Sequence, residues 1–205
     1  NNAVREALEL AARATGAEDF ALRLAARRPL SNLGPVSLVL REAATPRDAL
    51  DALCRYRKLL NASLITRIDD AGDCTIIRDD LLPIPGLATR QSMELALGVL
   101  LHILKELIGS RWRPRRVCFT HAPPADLAAH RAFFGCSVLF DQPFNGIVCP
   151  AADLRQPRST QDPGMARFAR DYLESALQQR GQRASETCRE LIQALLPGGR
   201  CTADA

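Results

Sequence analysis

The chain lacks the commonest catalytic signatures. No G-x-S-x-G elbow, G-x-x-x-x-G-K phosphate loop or G-x-G-x-x-G dinucleotide turn occurs in its 205 residues, so serine hydrolases, P-loop enzymes and Rossmann oxidoreductases find no support. Histidine is scarce: His102, His121 and His130 never stand at the i, i+4 spacing that puts two ligands on one helix face. Neither a metal site nor a cofactor is implied, and no catalytic residue is nominated. Lysine is scarcer still, because Lys58 and Lys105 are the only two. The net charge of +4 is carried by arginine without any long basic tract, which permits contact with nucleic acid but does not demand it. Residues 95–104 form the longest apolar run, interrupted by His102 and short of the ~20 residues that span a bilayer. Residues 1–10 read as a polar-studded helix and not as a signal peptide. The seven cysteines are odd in number and contain no C-x-x-C pair. Scattered through apolar segments, they fit reduced thiols packed as small hydrophobes in a cytoplasmic protein.

What is present is helical and strand-like punctuation of good quality. Val4, Ala7, Leu8, Ala11 and Ala14 recur at helical spacing before Gly16. A short helix is expected at 18–25, a loop at 27–34, and a helix at 36–43 opened by Pro35. Thr45, Pro46 and Asp48 give the cap, preset first residue and early carboxylate of another helix start. Two strand-like runs, 63–68 and 74–78, flank a glycine-containing turn and predict a hairpin. The longest helix should cover 90–108 and end at Gly109; being apolar nearly all round, it belongs in the middle of the fold. Between 113 and 154 the pattern reads strand, short helix ended by Gly135, then a hairpin about the turn at 141–145. Two amphipathic helices follow Pro163, with Gly181 breaking between them. Strands therefore come in adjacent pairs, and an α+β fold is predicted: a mostly antiparallel sheet packed with helices around the long apolar helix. The chain opens without methionine inside a helical pattern and stops where a new helix begins, so both ends look cut from something longer.

The candidate site is a cavity between sheet and long helix, apolar with a few orienting polar groups. Tyr56, Arg67 and His102 are its candidate polar contributors, and Phe119 its apolar wall. His102 must reach the surface, find a partner or serve such a cavity. His121, at a strand end, reads as a hydrogen bond that fixes the turn. The arginines around Trp112 read as a solvated loop whose tryptophan covers the core edge, and the cysteines as structural.

Phe119, His121, Pro124, Phe133, Phe134, Gly135, Asp153 and Leu154 reproduce a pattern: a strand ending F-x-H-x-x-P, a helix ending F-F-G, then a hairpin before an apolar-Asp-Leu step. With it come LELAARATGAEDFALRLA at 8–25, TPRDALDALCRYRKLL at 45–60 and RELIQALLPGGRCTADA at 189–205. In that order these segments resemble the effector-sensing N-terminal domain of AraC/XylS-type bacterial transcription activators, the arabinose-binding type. The resemblance implies an effector-binding and dimerisation domain over 1–180, and over 181–205 the truncated start of a helix-turn-helix DNA-binding domain. It further implies a small-molecule effector, a homodimer, and promoter DNA contacted only through the missing domain, with no DNA-binding residue in this fragment and no membrane. The alternatives are a dimerisation module without ligand, or an α+β enzyme.

Overall fold

The structure, a computed structural model, describes residues 2–83, 86–159 and 162–195. Three helices open it: α1 (Asn2–Thr15), α2 (Phe20–Ala26) and α3 (Pro35–Arg41), with a 3-10 turn at Leu30–Leu33 before the last. Pro35 occupies the first turn of α3, where its missing N–H costs nothing. Helix α4 (Pro46–Leu60) starts at a complete capping box: the Asp48 N–H donates to Thr45 Oγ1 at 3.1 Å, and the Thr45 N–H donates to Asp48 Oδ2 at 3.0 Å. The inward face of α1 is turned about one residue from its apolar stripe. Val4 is 59% exposed, whereas Arg5 and Leu8 are buried.

Strands β1 (Leu64–Ala71) and β2 (Cys74–Leu81) form the expected hairpin, longer on both arms than its apolar runs, with Gly72 supplying the positive φ of the turn. Cross-strand pairs Leu64–Leu81, Thr66–Asp79 and Ile68–Ile77 share its inner face. Helix α5 (Arg90–Ile108) has the limits its apolar pattern predicts. Leu97, Leu101 and Leu104 pack with Ile77, Val117, Phe119 and Ile147 of the sheet side. Ile103 and Leu107 pack with Val39, Leu40, Tyr56 and Leu173 of the helical side. Each such fully buried leucine contributes roughly 1.5–3 kcal/mol, so α5 fastens the two layers together.

Beyond α5 come β3 (Arg116–Cys118), α6 (Ala128–Phe134), β4 (Ser137–Leu139), β5 (Gly146–Pro150), α7 (Ala151–Leu154) and α8 (Pro163–Leu195). Among the described residues five strands make one sheet in the order β1-β2-β5-β3-β4. Three expectations are corrected here. The strands on either side of the 141–145 turn do not pair: α6 carries the chain over so that β4 lies parallel to β3, and β5 inserts between β2 and β3. The strand expected to end at His121 stops at Cys118, and Val117, Cys118 and the following Phe119 are all buried. Helix α8 passes through Gly181 without a break; one helical glycine costs only ~1 kcal/mol relative to alanine. Gly146, central in the sheet, is glycine because a Cβ there would stand 2.4 Å from the Ile77 carbonyl oxygen. No helix of the described residues is long and apolar enough to cross a membrane.

Candidate functional site

A partly open cavity of about 320 Å³ lies between the inner face of the β1–β2 hairpin and α5, flanked by α1 and α4. Its position follows from local sequence. In β1 and β2 the alternation that buries Ile68 and Ile77 also turns Leu64, Thr66, Asp79 and Leu81 inward. On α4, Leu53, Arg57 and Leu60 recur at helical spacing along the wall. On α5, Ser92 and Ala96 stand one turn apart facing the hollow, and two small side chains there leave room that leucines would fill. Leu95, Val99, Leu100 and Ile103 continue the same wall, and Leu8 of α1 completes the apolar lining.

The polar groups in this lining are unevenly satisfied. Arg5 is only 3% exposed; its Nη1 donates to the Leu82 carbonyl at 2.8 Å, while its Nη2 is buried without any partner. Arg57 makes one long contact, Nη1 to the Leu64 carbonyl at 3.5 Å. Arg28 reaches the cavity from the end of α2. Asp79 is 2% exposed and accepts from Thr66 Oγ1 at 2.7 Å. Burial, with a smaller push from the Asp80 charge, raises its carboxyl to about 6 despite that hydrogen bond. Ser92 Oγ is buried and unpartnered.

None of the four residues expected at this site lines it. Tyr56 faces away from the cavity to α8, where its hydroxyl donates to Glu174 Oε1 at 2.7 Å beside a bidentate Arg55–Glu174 pair at 2.7 and 2.9 Å. Arg67 follows the inward Thr66 by one residue, so strand alternation sends it outward, where it pairs with Asp80 at 3.0 Å. His102 is half-buried and stacks on Phe133, with centroids 5.5 Å apart and planes 18° apart; burial lowers its pKa. Phe119 is fully buried in an aromatic group with Phe134 and Phe140. The structure brings none of these four together.

A second buried polar group lies on the other side of α5. Glu94 is 0% exposed and accepts from Arg90 Nε at 2.9 Å. The same Oε1 is 3.1 Å from His130 Nε2 on α6 and 3.6 Å from His121 Nε2 after β3. His121 also contacts the Ala122 carbonyl through Nδ1 at 2.9 Å, which holds the turn as its position suggested. Among the described residues no group of three or more His, Cys, Asp or Glu could hold a metal ion. Cys54, Cys74, Cys118, Cys136 and Cys149 are free; burial pushes Cys149 up to about 12 and Cys54 and Cys136 to about 11, which fits these three as inert packing. Trp112 packs on the core edge, its Nε1 donating to Asp153 at 2.8 Å.

Two of the residues missed in the sequence share one signal: Asp79 falls in the inward register of β2 and Glu94 stands inside the apolar helix α5, each a charge at a position whose spacing calls for a hydrophobe. Arg5 carries no such signal, because it stands one residue off the apolar stripe of α1.

The sequence model of the family described as the arabinose-binding domain of AraC transcription regulators, N-terminal, matches residues 1–158. The HTH-type transcriptional regulator VirS of Mycobacterium tuberculosis is 32% identical over 200 residues in two strains, CDC 1551 / Oshkosh and ATCC 25618 / H37Rv. The alignment takes in 97% of this chain and 59% of theirs, so the chain spans less than two thirds of those relatives. The crystal structure of the transcriptional regulator CdpR from Pseudomonas aeruginosa has the same fold, with a TM-score of 0.65 at 17% identity over 73% of this chain and 49% of that one.

Proposed function

We propose, from the premise that this chain belongs to the arabinose-binding-domain family of AraC transcription regulators, that it is a sensing domain whose small-molecule effector occupies the cavity between the hairpin and α5. The observation that carries this reading is the hollow itself, a concave and mostly apolar space between the hairpin and α5 with a few polar groups in its lining. Its volume lies at the lower end of the range for small-molecule sites. The parent protein would read promoter DNA through a helix-turn-helix domain after α8, as the relatives' names suggest, and would act in the cytoplasm without catalysis. The division at 1–180 and 181–205 then falls inside α8, and the helix is itself the connector.

Helix α4 supplies a route from ligand to connector. One of its faces gives Leu53, Arg57 and Leu60 to the cavity, and another gives Arg55 and Tyr56 to Glu174 of α8. An effector that binds one α4 position better than another biases where α8 docks, by its differential affinity for the two states; such couplings are typically ~1–3 kcal/mol. Homodimerisation is supported by Met165, Phe168 and Tyr172, exposed along one side of α8 at helical spacing.

Thermal shift against a broad metabolite panel tests the sensor, because a ligand of the folded state alone raises the midpoint. We expect at least one compound to do so in the native chain and to lose its effect in Ala96→Trp, which fills the cavity. A compound whose shift survives Ala96→Trp binds elsewhere, and a silent panel with a concentration-dependent dimer would favour the dimerisation module. Phe168→Glu should then halve the mass measured by light scattering.

A further inference from the structure

We infer that the ligand of this cavity is an amphipathic acid, an apolar body ending in one carboxylate that pairs with Arg5. The inference rests on the sensor reading above and adds the ligand's chemical class.

It begins with a cation held out of water. Arg5 is almost completely buried, one of its terminal nitrogens has no acceptor, and its hydrogen bond goes to a neutral carbonyl. Among the described residues it forms no ion pair. A buried charge without a counter-charge is costly, and native proteins keep one where something else neutralises it. Arg5 lines the cavity, so the missing counter-charge has a place to arrive. A guanidinium suits a carboxylate, through short charge-assisted hydrogen bonds.

The rest of the lining narrows the ligand further. Arg28 and Arg57 add positive charge, and the one carboxylate in the lining is Asp79. That carboxylate does not serve as their counter-ion: its hydrogen-bonding partner is Thr66, and among the described residues it forms no ion pair. Ser92 contributes a buried hydroxyl with no partner, suited to a polar head. Asn32, Asn61 and Thr66 are the other polar side chains of the lining, and the remaining wall is alanine, leucine, valine and isoleucine. An aliphatic or aryl body would bury itself against that wall, at about 25 cal/mol per Å² of apolar surface.

Octanoate, octanol and octylamine share one chain and differ in the head group. Calorimetric titration of each into the native protein, Arg5→Met and Arg5→Lys at neutral pH tests the inference, with circular dichroism confirming that both variants fold. We expect octanoate to bind at least tenfold tighter than octanol, Arg5→Met to remove at least tenfold of that affinity, and Arg5→Lys to restore part of it. Octanol affinity should change by less than twofold in either variant. Equal or tighter binding of octanol or octylamine, or an Arg5→Met protein that still prefers octanoate, would overturn the acid while leaving the cavity a ligand site. If none of the three binds and the metabolite panel is also silent, the sensor reading falls with it.

Discussion

Two buried charges on either side of α5 have opposite surroundings. Glu94 is approached from three directions. Arg90, one turn earlier on its own helix, gives it a hydrogen bond, and the imidazoles of His130 on α6 and His121 beyond β3 lie close by, although its Oε2 and both imidazole Nε2 atoms have no hydrogen-bond partner. No cavity opens onto it among those described. Arg5 is as deeply buried but has one neutral acceptor, and it borders open volume. A buried charge that collects protein partners from several elements works as a fastener of the fold. One that lacks them beside a void works as half of an interaction whose other half is a ligand. Burial alone does not separate these cases, and a list of partners does.

The sharpest way to break this contrast is to delete the fastener. Glu94→Leu takes the carboxylate from both imidazoles and leaves Arg90 with Glu18 alone, and should lower the stability read from urea unfolding by about 3 kcal/mol. A loss below about 1 kcal/mol would mean the cluster does not hold α5 to α6. Next comes Asp79, inside the cavity but without a basic partner. Its carboxyl is raised to about 6 by burial, so the folded state keeps a proton that the unfolded chain releases near its ordinary carboxylate pKa. Stability therefore falls as pH climbs from about 4 to about 6 and stays lowered above that range. Asp79→Asn should be more stable than the native chain by roughly 1–3 kcal/mol at neutral pH. Thermal midpoints across that window should show the gap closing towards about pH 4; a constant gap would contradict the assignment. Glu174→Gln should cost roughly 0.5–1 kcal/mol, because Glu174 is a partly exposed carboxylate that the Arg55 and Tyr56 hydrogen bonds hold down to about 2. Its contribution is present above the ordinary carboxylate range and is lost only as pH falls through about 2, so neutral-pH urea midpoints report it in full. The smallest effect belongs to Arg5→Met, within about 0.5 kcal/mol of the native chain or slightly stabilising, since removing an uncompensated cation relieves desolvation. A cost above 2 kcal/mol would make Arg5 structural, and the contrast with Glu94 would disappear.

Much of the architecture was legible in the residues. The limits of α5, the capping box at Thr45 and the first hairpin each rest on strong local rules, and each appears where the rules put it. The pairing of β3 with β4 was not legible. Strands of three residues carry too little pattern to state a neighbour, and a turn with plausible chemistry between β4 and β5 looked like a hairpin. Gly181 misled for a related reason: a single glycine is a weak breaker when the residues around it favour helix. The place of the cavity could be argued from layer geometry, but its lining could not. Tyr56 and His102 attract notice because tyrosine and histidine carry chemistry, yet their helical faces turn elsewhere. Arg5 and Asp79 are ordinary charges whose meaning lies in a half-turn of α1 and in the register of β2.

The uninterrupted course of α8 has a mechanical consequence. It is anchored to the helical layer by Ala169, Leu173 and Glu174, and from Leu173 to its end at Leu195 it extends about 33 Å, at 1.5 Å per residue. A rod of that length pivoted at its base magnifies small rotations. A tilt of about 6° sweeps the tip through about 3.4 Å, which is the step between successive base pairs of DNA. A displacement of the α4 docking edge too small to notice beside the cavity is therefore enough to move the far end of α8 by that distance, and under the proposed function that end would carry the DNA reader.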